Sequence, residues 1–472
     1  MTSLVRLDHA WSSVPNIHNI PIELMATPEV PVEIAAVRQA AAITRLHERL
    51  AREGGQVRRM TLTPDLHPGA GIPVGSIVDT LGGVAPGLIG GDIGCGMRLL
   101  AFDLPADRLE GRWEQISRRL RHLFFQGGRD VSLDASGRQA LLRDGLYGLA
   151  DHLSDPRRRV GLWSLYDPDQ QERDLDVACD QGSLPTSRLF AGFAGWVSGP
   201  AGRDAHLGSV GGGNHFVEIG QVAELCEGST AWLWGLREGQ LTVLIHTGSL
   251  GFGAAVAASY ADKRDPMLAL TGQSADDYLD AMRNAANFAF ANRIVLGLMA
   301  ARAIQDTIGE PAPARLVGDA PHNLIWPNGE NRWRHRKGAT PAQGPAAHPQ
   351  LAAGHPVLIP GSMGDSSWVL RGNGHERALS SASHGAGRQL SRGAAAAAAD
   401  NDDMRDLRVV SPVDPRALIA AGRRDLLDQS QARLREEAPG AYKAVGPVID
   451  SVVQAGAADK VARLAPLLTV KG

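Results

Sequence analysis

Apolar and polar positions recur with two different spacings along the chain, and these spacings predict where helices and strands lie. Helical spacing of apolar residues extends over Val32–Arg52, just before Gly54-Gly55, and over Ser274–Ile308. Short apolar runs rich in β-branched residues predict strands instead. These strands are expected over Val57–Thr63, Arg98–Leu104 and Leu241–His246. From Gly309 to Gly374 we expect mainly loops.

Glycine-rich blocks alternate with a more charged, helical segment over 104–205. Between Gly69 and Gly96 the glycines are interleaved with apolar residues, which favours packed tight turns over a flexible linker. No strong linker separates the blocks. We therefore predict an α+β fold, with mixed β-sheets surrounded by helices in one large domain. Residues 1–56 would be an N-terminal segment with a helix, and 57–472 the catalytic domain, in which 104–205 is a variable, insertion-like region.

Composition narrows the class of protein. Of 472 residues 43% are hydrophobic, and the formal net charge is only −3, so any site for nucleic acid must be local. Three scattered cysteines, Cys95, Cys179 and Cys226, do not suit a disulfide framework and indicate a reducing compartment. The first residues lack a signal-peptide stretch, and no uncharged run reaches transmembrane length. We expect a soluble, cytoplasmic protein without a membrane partner.

A candidate metal site begins at Asp92 and Cys95, three residues apart in a glycine-rich turn. A carboxylate is a hard ligand and a thiolate a soft one, and a thiolate can bridge two ions. Three histidines beside glycines or at predicted strand ends would complete a five-ligand set: His215, His246 and His322. Alone, each histidine is more often a structural residue, and a lone Cys95 more often a small buried hydrophobe.

A second candidate site is the run His384-Gly385-Ala386-Gly387, which precedes a predicted helix carrying Arg388 and Arg392. Backbone amides at a helix N-terminus and guanidinium groups attract phosphate. Neutral imidazole can attack phosphorus, so His384 is a candidate nucleophile. Two features stay open: Asp65 and His67 form either a turn or part of an active site, and the basic run Arg332–Lys337 is either a solvated face or a contact for phosphate.

These motifs, taken in order, resemble the RtcB family of RNA ligases from about residue 57 to the C-terminus. Each motif alone is moderately specific, whereas six in one order are very specific. They are Gly91-Asp92-Ile93-Gly94-Cys95-Gly96-Met97, Gly213-Asn214-His215-Phe216-Val217-Glu218-Ile219, His246-Thr247-Gly248-Ser249, His335-Arg336-Lys337-Gly338-Ala339-Thr340, Pro360-Gly361-Ser362-Met363-Gly364 and His384-Gly385-Ala386-Gly387-Arg388.

The resemblance implies a ligase that joins an RNA 3′-phosphate or 2′,3′-cyclic phosphate to a 5′-hydroxyl, using GTP and two Mn²⁺ ions. Asp92, Cys95 and His215 would bind one ion, and Cys95, His246 and His322 the other. His384 would carry GMP, and Tyr442 would stack on guanine. The full set implied for GTP is Asn214, His215, Phe216, Val217, Glu218, His322, Asn323, Pro360, Gly361, Ser362, Met363, Ser367, His384, Gly385, Ala386, Gly387, Tyr442 and Lys471. RNA phosphate contacts would come from Arg388, Arg392, Arg336 and Lys337.

The chain also departs from the family pattern, which implies a divergent branch. Ser383 replaces the usual cysteine before the nucleophile, Thr247 replaces a serine, and Leu250 replaces an arginine. DNA 3′-phosphate ends stay open as a second class of substrate. An archease-type activator is a further expected partner. Two alternatives to ligation remain: an enzyme that caps 3′-phosphate ends without efficient joining, and a metal-dependent phosphodiesterase or RNA-binding module.

Overall fold

Strands from distant parts of the chain are interleaved in two large sheets and a two-stranded ribbon. The computed structural model describes residues 4–262, 265–345, 347, 351–398, 404 and 406–472. The strands are β1 (Val5–Arg6), β2 (Trp11–Ser13), β3 (Ile22–Met25), β4 (Gln56–His67), β5 (Val74–Leu81), β6 (Gly96–Pro105), β7 (Phe216–Leu225), β8 (Gln240–Thr247), β9 (Ala314–Pro321), β10 (Asn323–Pro327), β11 (Arg332–Lys337), β12 (Ala339–Pro341), β13 (Pro356–Ile359), β14 (Ser367–Gly372), β15 (Ser381–Ser383), β16 (Val409–Val410) and β17 (Ala458–Val470).

The α-helices lie around these sheets. They are α1 (Ile34–Ile43), α2 (Arg45–Ala51), α3 (Trp113–Phe125), α4 (Ala135–Leu153), α5 (Pro168–Val177), α6 (Ala194–Val197), α7 (Gly228–Leu233), α8 (Gly251–Tyr260), α9 (Gly272–Ile308), α10 (Arg392–Ala398), α11 (Pro415–Ala420), α12 (Arg424–Arg435) and α13 (Val445–Gln454). In the part of the chain that is described, no helix combines the length and apolarity needed to cross a membrane.

The first sheet has the order β1-β2-β3-β4-β5-β11-β10, and the second β13-β14-β17-β7-β8-β6-β9, with β16 added beside β17. Strands β12 and β15 form the ribbon. Most pairs are antiparallel, but β3 with β4 and β16 with β17 are parallel. The predicted α+β fold of mixed sheets surrounded by helices in one large domain is therefore confirmed.

The N-terminal segment shares a sheet with the residues that follow it. Strand β3 pairs with β4, and α1 and α2 contribute Ile43, Leu46 and Leu50 to a core that also holds Met60. The helix predicted over Val32–Arg52 is two helices that meet at Thr44. The Thr44 hydroxyl donates to the Ala41 carbonyl (2.7 Å), a local bond that competes with regular helix geometry. The boundary at residues 56 and 57 remains a prediction.

Helix α9 is the centre of the largest core and confirms the helix predicted over Ser274–Ile308. Helices α3 and α4, from the segment 104–205, pack against it. Its buried asparagines satisfy backbone groups of the loops around it: the Asn284 side chain accepts from the amide of Phe190 (2.7 Å), and that of Asn292 from Gly208 (2.8 Å). The long helix thereby fixes loops that run toward the sheet ends.

Strands β4, β6 and β8 confirm the three predicted strands. The expectation of loops from Gly309 to Gly374 is wrong, because β9 to β14 lie there. Their apolar runs are short, and several of them pair with distant strands: β9 with β6, β11 with β5 and β14 with β17. Such pairing leaves no local signal in the sequence.

Candidate functional site

The five candidate metal ligands converge because four neighbouring strands of the second sheet begin or end at the same place. Cys95 immediately precedes β6, His215 precedes β7, His246 lies in β8 and His322 follows β9. These strands are adjacent in the order β7-β8-β6-β9. The register places His246 opposite Met97, two residues after Cys95, and opposite Phe216, which directly follows His215. Residues far apart in sequence thus meet at one end of these four strands.

Cys95 is the shared member of two candidate ligand groups. Its Sγ lies 3.3 Å from His215 Nε2 and 3.2 Å from His246 Nε2, and Asp92 Oδ2 lies 3.1 Å from His215 Nε2. One ligand atom from each residue lies within 4.8 Å of the others both in the group Asp92, Cys95 and His215 and in the group Cys95, His246 and His322.

The donor chemistry fits two divalent cations that share a thiolate. Burial lowers the pKa values of His246 and His322 well below the ordinary range, so both rings are neutral, as ligation requires. His322 Nδ1 is buried without a hydrogen-bond partner among the described residues. A carboxylate, a thiol and three imidazoles suit a transition metal better than Mg²⁺ or Ca²⁺.

Arg293, from α9, holds the two turns that carry the ligands. Its Nη1 donates to the carbonyls of Gly94 (2.8 Å) and Thr247 (3.1 Å), and its Nε donates to Asp319 (2.8 Å). Arg293 and Asp319 are fully buried. The sequence offered one signal for this role, a charged residue within a largely apolar helix, but not its partners.

His384 lies directly after β15, and Asp65 of β4 fixes its ring. Its Nδ1 donates to Asp65 Oδ2 (2.6 Å), which leaves the Nε2 lone pair free for attack. Asp65 is fully buried, and the Thr63 hydroxyl donates to its other oxygen. Burial would raise the pKa of Asp65, but His384 and these hydrogen bonds lower it, so the carboxylate is ionised. The His384 and His322 ring centroids are 4.6 Å apart.

The loop after His384 differs from the prediction. The expected helix carrying both arginines is wrong: α10 begins at Arg392, and Arg388 forms an isolated bridge with Tyr442. Gly387 adopts a left-handed φ of +78°, and a Cβ there would lie 2.4 Å from the Asp65 carbonyl oxygen, so close approach to β4 interrupts any helix. Both arginines face Glu437, Arg388 at 3.1 Å and Arg392 at 3.6 Å.

A cleft of about 460 Å³ contains most of the residues predicted for GTP and RNA. Its lining includes Asn214, Phe216, Glu218, His322, Asn323, Lys337, Pro360, Gly361, Ser362, Met363, His384, Gly385, Ala386, Gly387, Arg388, Arg392, Tyr442 and Lys471. Asp92, Cys95 and His246 also line this cleft, whereas His215 does not. The metal-ligand groups and His384 therefore share one cleft.

Besides His215, three predicted residues lie outside the cleft. Val217 is buried in the main core, and Ser367 lies behind the wall, where its hydroxyl donates to Glu218 (3.4 Å). Arg336 is buried with its guanidinium 4.6 Å from the Trp326 ring. Because successive residues of a strand face opposite sides, Lys337 reaches the cleft and Arg336 does not.

Sequence reasoning missed Glu437, Thr469 and Lys443. Glu437 and Thr469 line the cleft, and Glu437 accepts a hydrogen bond from the Tyr442 hydroxyl. Lys443 Nζ donates to the carbonyls of Pro64 (3.1 Å) and Leu66 (2.8 Å), on either side of Asp65. None lies in a motif of distinctive composition, so only three-dimensional contacts identify them.

Burial raises the pKa of Glu218 to about 8, although Thr469 and Ser367 donate to its carboxyl group. The unfolded chain ionises this group near its ordinary pKa of about 4.3, so the folded state binds the extra proton between these values. The contribution of this group to the free energy of unfolding should therefore fall by about 1.4 kcal/mol per pH unit as the pH rises toward 8. In urea unfolding without added metal, the free energy of unfolding of Glu218→Gln should fall less steeply with pH than that of the wild type.

Glu224→Gln is the matched control, since Glu224 lies on the same strand, is 53% exposed and pairs with Arg463. It should leave the pH dependence unchanged. An identical fall in wild type and Glu218→Gln contradicts a protonated Glu218.

Comparison with known proteins gives a consistent result. A family model described as tRNA-splicing ligase RtcB matches residues 47–472. The tRNA-splicing ligase RtcB of Pyrobaculum aerophilum is 33% identical, over 89% of this chain and 88% of the relative. The RNA-splicing ligase RtcB of Mycobacterium tuberculosis is 34% identical, over 89% of this chain and 98% of the relative. The tRNA-splicing ligase RtcB of Thermococcus kodakarensis is 32% identical, over 87% of this chain and 86% of the relative.

Proposed function

Because the chain belongs to the RtcB family, we propose that it is an RNA ligase of the cytoplasm that joins 3′-phosphate or 2′,3′-cyclic phosphate ends to 5′-hydroxyl ends. GTP and two Mn²⁺ ions are the proposed cofactors. One observation carries the proposal: the His384 imidazole, fixed by Asp65, is 4.6 Å between ring centroids from His322 of the candidate metal groups.

Asp92, Cys95 and His215 would hold one ion, and Cys95, His246 and His322 the other. When bound, such ions offset charge on phosphoryl oxygens and orient them for in-line displacement. Arg293 supports both groups, because it donates to the carbonyls of Gly94, next to Cys95, and of Thr247, next to His246.

His384 is the proposed nucleophile. Its Nε2 lone pair forms a bond to the α-phosphorus of GTP, and the bond to the β-phosphate oxygen breaks to release pyrophosphate. Asp65 fixes the tautomer by accepting from Nδ1–H and stabilises the charge that develops on the ring. An oxygen of the RNA 3′-phosphate then displaces the histidine nitrogen, and the 5′-hydroxyl oxygen finally displaces GMP, losing its proton.

Guanine recognition is assigned to three residues that line the cleft, Glu218, Tyr442 and Lys471. In its ionised form, the Glu218 carboxylate can accept from the N1–H and N2 amino groups of guanine, as acidic side chains accept from base amino groups elsewhere. Tyr442 offers an aromatic face for stacking, and its hydroxyl is held by Glu437. Lys471 lies at the same wall, where its Nζ donates to the Gly213 carbonyl (2.7 Å).

The test is a joining reaction between a 3′-phosphate strand and a 5′-hydroxyl strand, with GTP and Mn²⁺. The expected result is a joined RNA whose formation requires both cofactors. A stalled, guanylylated 3′-end supports the capping alternative, with RNA or DNA ends. Cleavage without any nucleotide transfer supports the phosphodiesterase alternative. Repeating the reaction with an archease-type protein tests the proposed activator.

A further inference from the structure

Lys443 is a buried lysine whose side chain binds backbone carbonyls instead of a carboxylate. The residue is only 3% exposed, and it forms no ion pair with any residue that the structure describes. Lysine is rarely buried in this way without an ionic partner. Its Nζ donates to the carbonyls of Pro64 (3.1 Å) and Leu66 (2.8 Å). The role of this lysine therefore depends on the segment of β4 that receives its hydrogen bonds.

That segment is a bulge in β4. The pairing with β5 passes from Leu62 opposite Ser76 directly to His67 opposite Val74, so residues 63–66 lie opposite a single residue of β5. Bulges redirect side chains and are common beside active sites. The backbone of this bulge is outside the ladders that β4 forms with β3 and β5. The lysine Nζ supplies donors that a neighbouring strand does not.

Asp65 lies in the bulge, between the two carbonyls that Lys443 binds. Its Oδ2 accepts from Nδ1 of the His384 ring (2.6 Å) and from the backbone amide of the same residue (3.3 Å). Any shift of the bulge therefore displaces the carboxylate that fixes the ring. Burial lowers the pKa of Lys443 while the charge of Asp65 opposes this change, so the two side chains also interact electrostatically.

Lys443 is also tied to the loop that follows His384. Its backbone amide donates to the carbonyl of Gly387 (2.9 Å), within that loop. It directly follows Tyr442, the residue proposed to stack on guanine. One residue thereby joins the bulge that carries Asp65 to the loop that carries the proposed nucleophile.

We propose that Lys443 is a positioning residue for the nucleophile: by holding the β4 bulge on both sides of Asp65, it fixes the carboxylate that orients the His384 ring. The inference rests on the role of His384 under the proposed function. Lys443 is absent from the cleft lining, so it acts on the rate of guanylate transfer and not by contact with the nucleotide. A displacement of about 1 Å in a reacting group can slow a reaction on the order of 10²-fold.

The test is transfer of label from α-labelled GTP to the full chain with Mn²⁺, followed in single turnovers over a range of GTP concentrations. Lys443→Met removes the donors and keeps an unbranched side chain. The rate constant at saturating GTP should fall about tenfold to hundredfold. The GTP concentration that gives half of this rate should change by less than about threefold, because the contacts to the nucleotide remain.

Lys460→Met is the matched control, since Lys460 is 33% exposed and pairs with Asp450 away from the cleft. It should leave both constants at their wild-type values.

A double-mutant cycle with Asp65→Ala separates positioning from a general loss of structure. No carboxylate remains to be positioned in that background, so Lys443→Met should slow transfer there by less than about threefold. Lys443→Gln, which keeps a neutral donor, replaces the methionine variant in the cycle if that variant does not fold. An unchanged rate in the wild-type background, or an equal loss in both backgrounds, overturns this inference alone. A wild-type protein that acquires no label on His384 overturns the proposed function and this inference with it.

Discussion

His384→Ala should reduce RNA joining by at least about 10⁴-fold, the scale expected when the nucleophile of a covalent mechanism is removed. Alanine has no group that can accept the guanylate, so neither the first transfer nor any later step can proceed. Quenched-flow measurement of joined product at saturating GTP and Mn²⁺ gives the rate. Mn²⁺ binding should persist, because the candidate ligands belong to other residues.

Asp65→Asn should have a smaller effect on the same rate, about 10²-fold to 10⁴-fold, because the nucleophile remains but its tautomer is no longer fixed. His375→Ala is the control, since His375 stacks on Trp11 in another part of the molecule. It should join RNA at the wild-type rate. Joining by His384→Ala at a rate close to wild type contradicts the nucleophile assignment.

Arg293→Met should lower the free energy of unfolding by about 3 kcal/mol, because it leaves Asp319 buried with one fewer cation. Arg98 Nη1 still donates to Asp319 (3.1 Å), but the carbonyls of Gly94 and Thr247 lose their donor. Urea unfolding monitored by circular dichroism measures the change. The ligand turns lose their support as well, so Mn²⁺ affinity should fall in the protein that remains folded.

Arg302→Met is the matched control, because it removes an exposed arginine from the same helix instead of a buried one. Arg302 is 41% exposed and pairs with Asp306 four residues along α9. Exposed pairs of this type contribute little, so the free energy of unfolding should change by less than about 0.5 kcal/mol. Equal destabilisation by both substitutions is inconsistent with a special role for the buried arginine.

The parts of the fold predicted from the sequence are those with local signals. Helix α9 follows from its apolar spacing, and β8 from its β-branched run. The convergence of Asp92, Cys95 and His246 could be predicted because ligand types stand beside glycines at strand ends. Their roles in catalysis remain predictions.

What the sequence did not indicate depends on contacts between distant segments. Of the strands between residues 309 and 374, β11 pairs with β5 and β9 with β6, and both partners lie far upstream. The path after Gly387 depends on its approach to Asp65, and the position of Arg388 on its ion pair with Glu437. Arg336 and Lys337 looked equivalent as neighbours in a basic run, yet a strand directs them to opposite faces.

Mass spectrometry of peptides after incubation with GTP and Mn²⁺ tests most directly whether the cleft transfers guanylate through an imidazole. The account predicts one GMP adduct, on the peptide containing His384, that is labile in acid, stable in alkali and lost when RNA with a 3′-phosphate is added. An adduct on Lys337 or Lys471, whose pKa values burial lowers to about 8, would contradict it, as would a wild-type protein that carries no adduct.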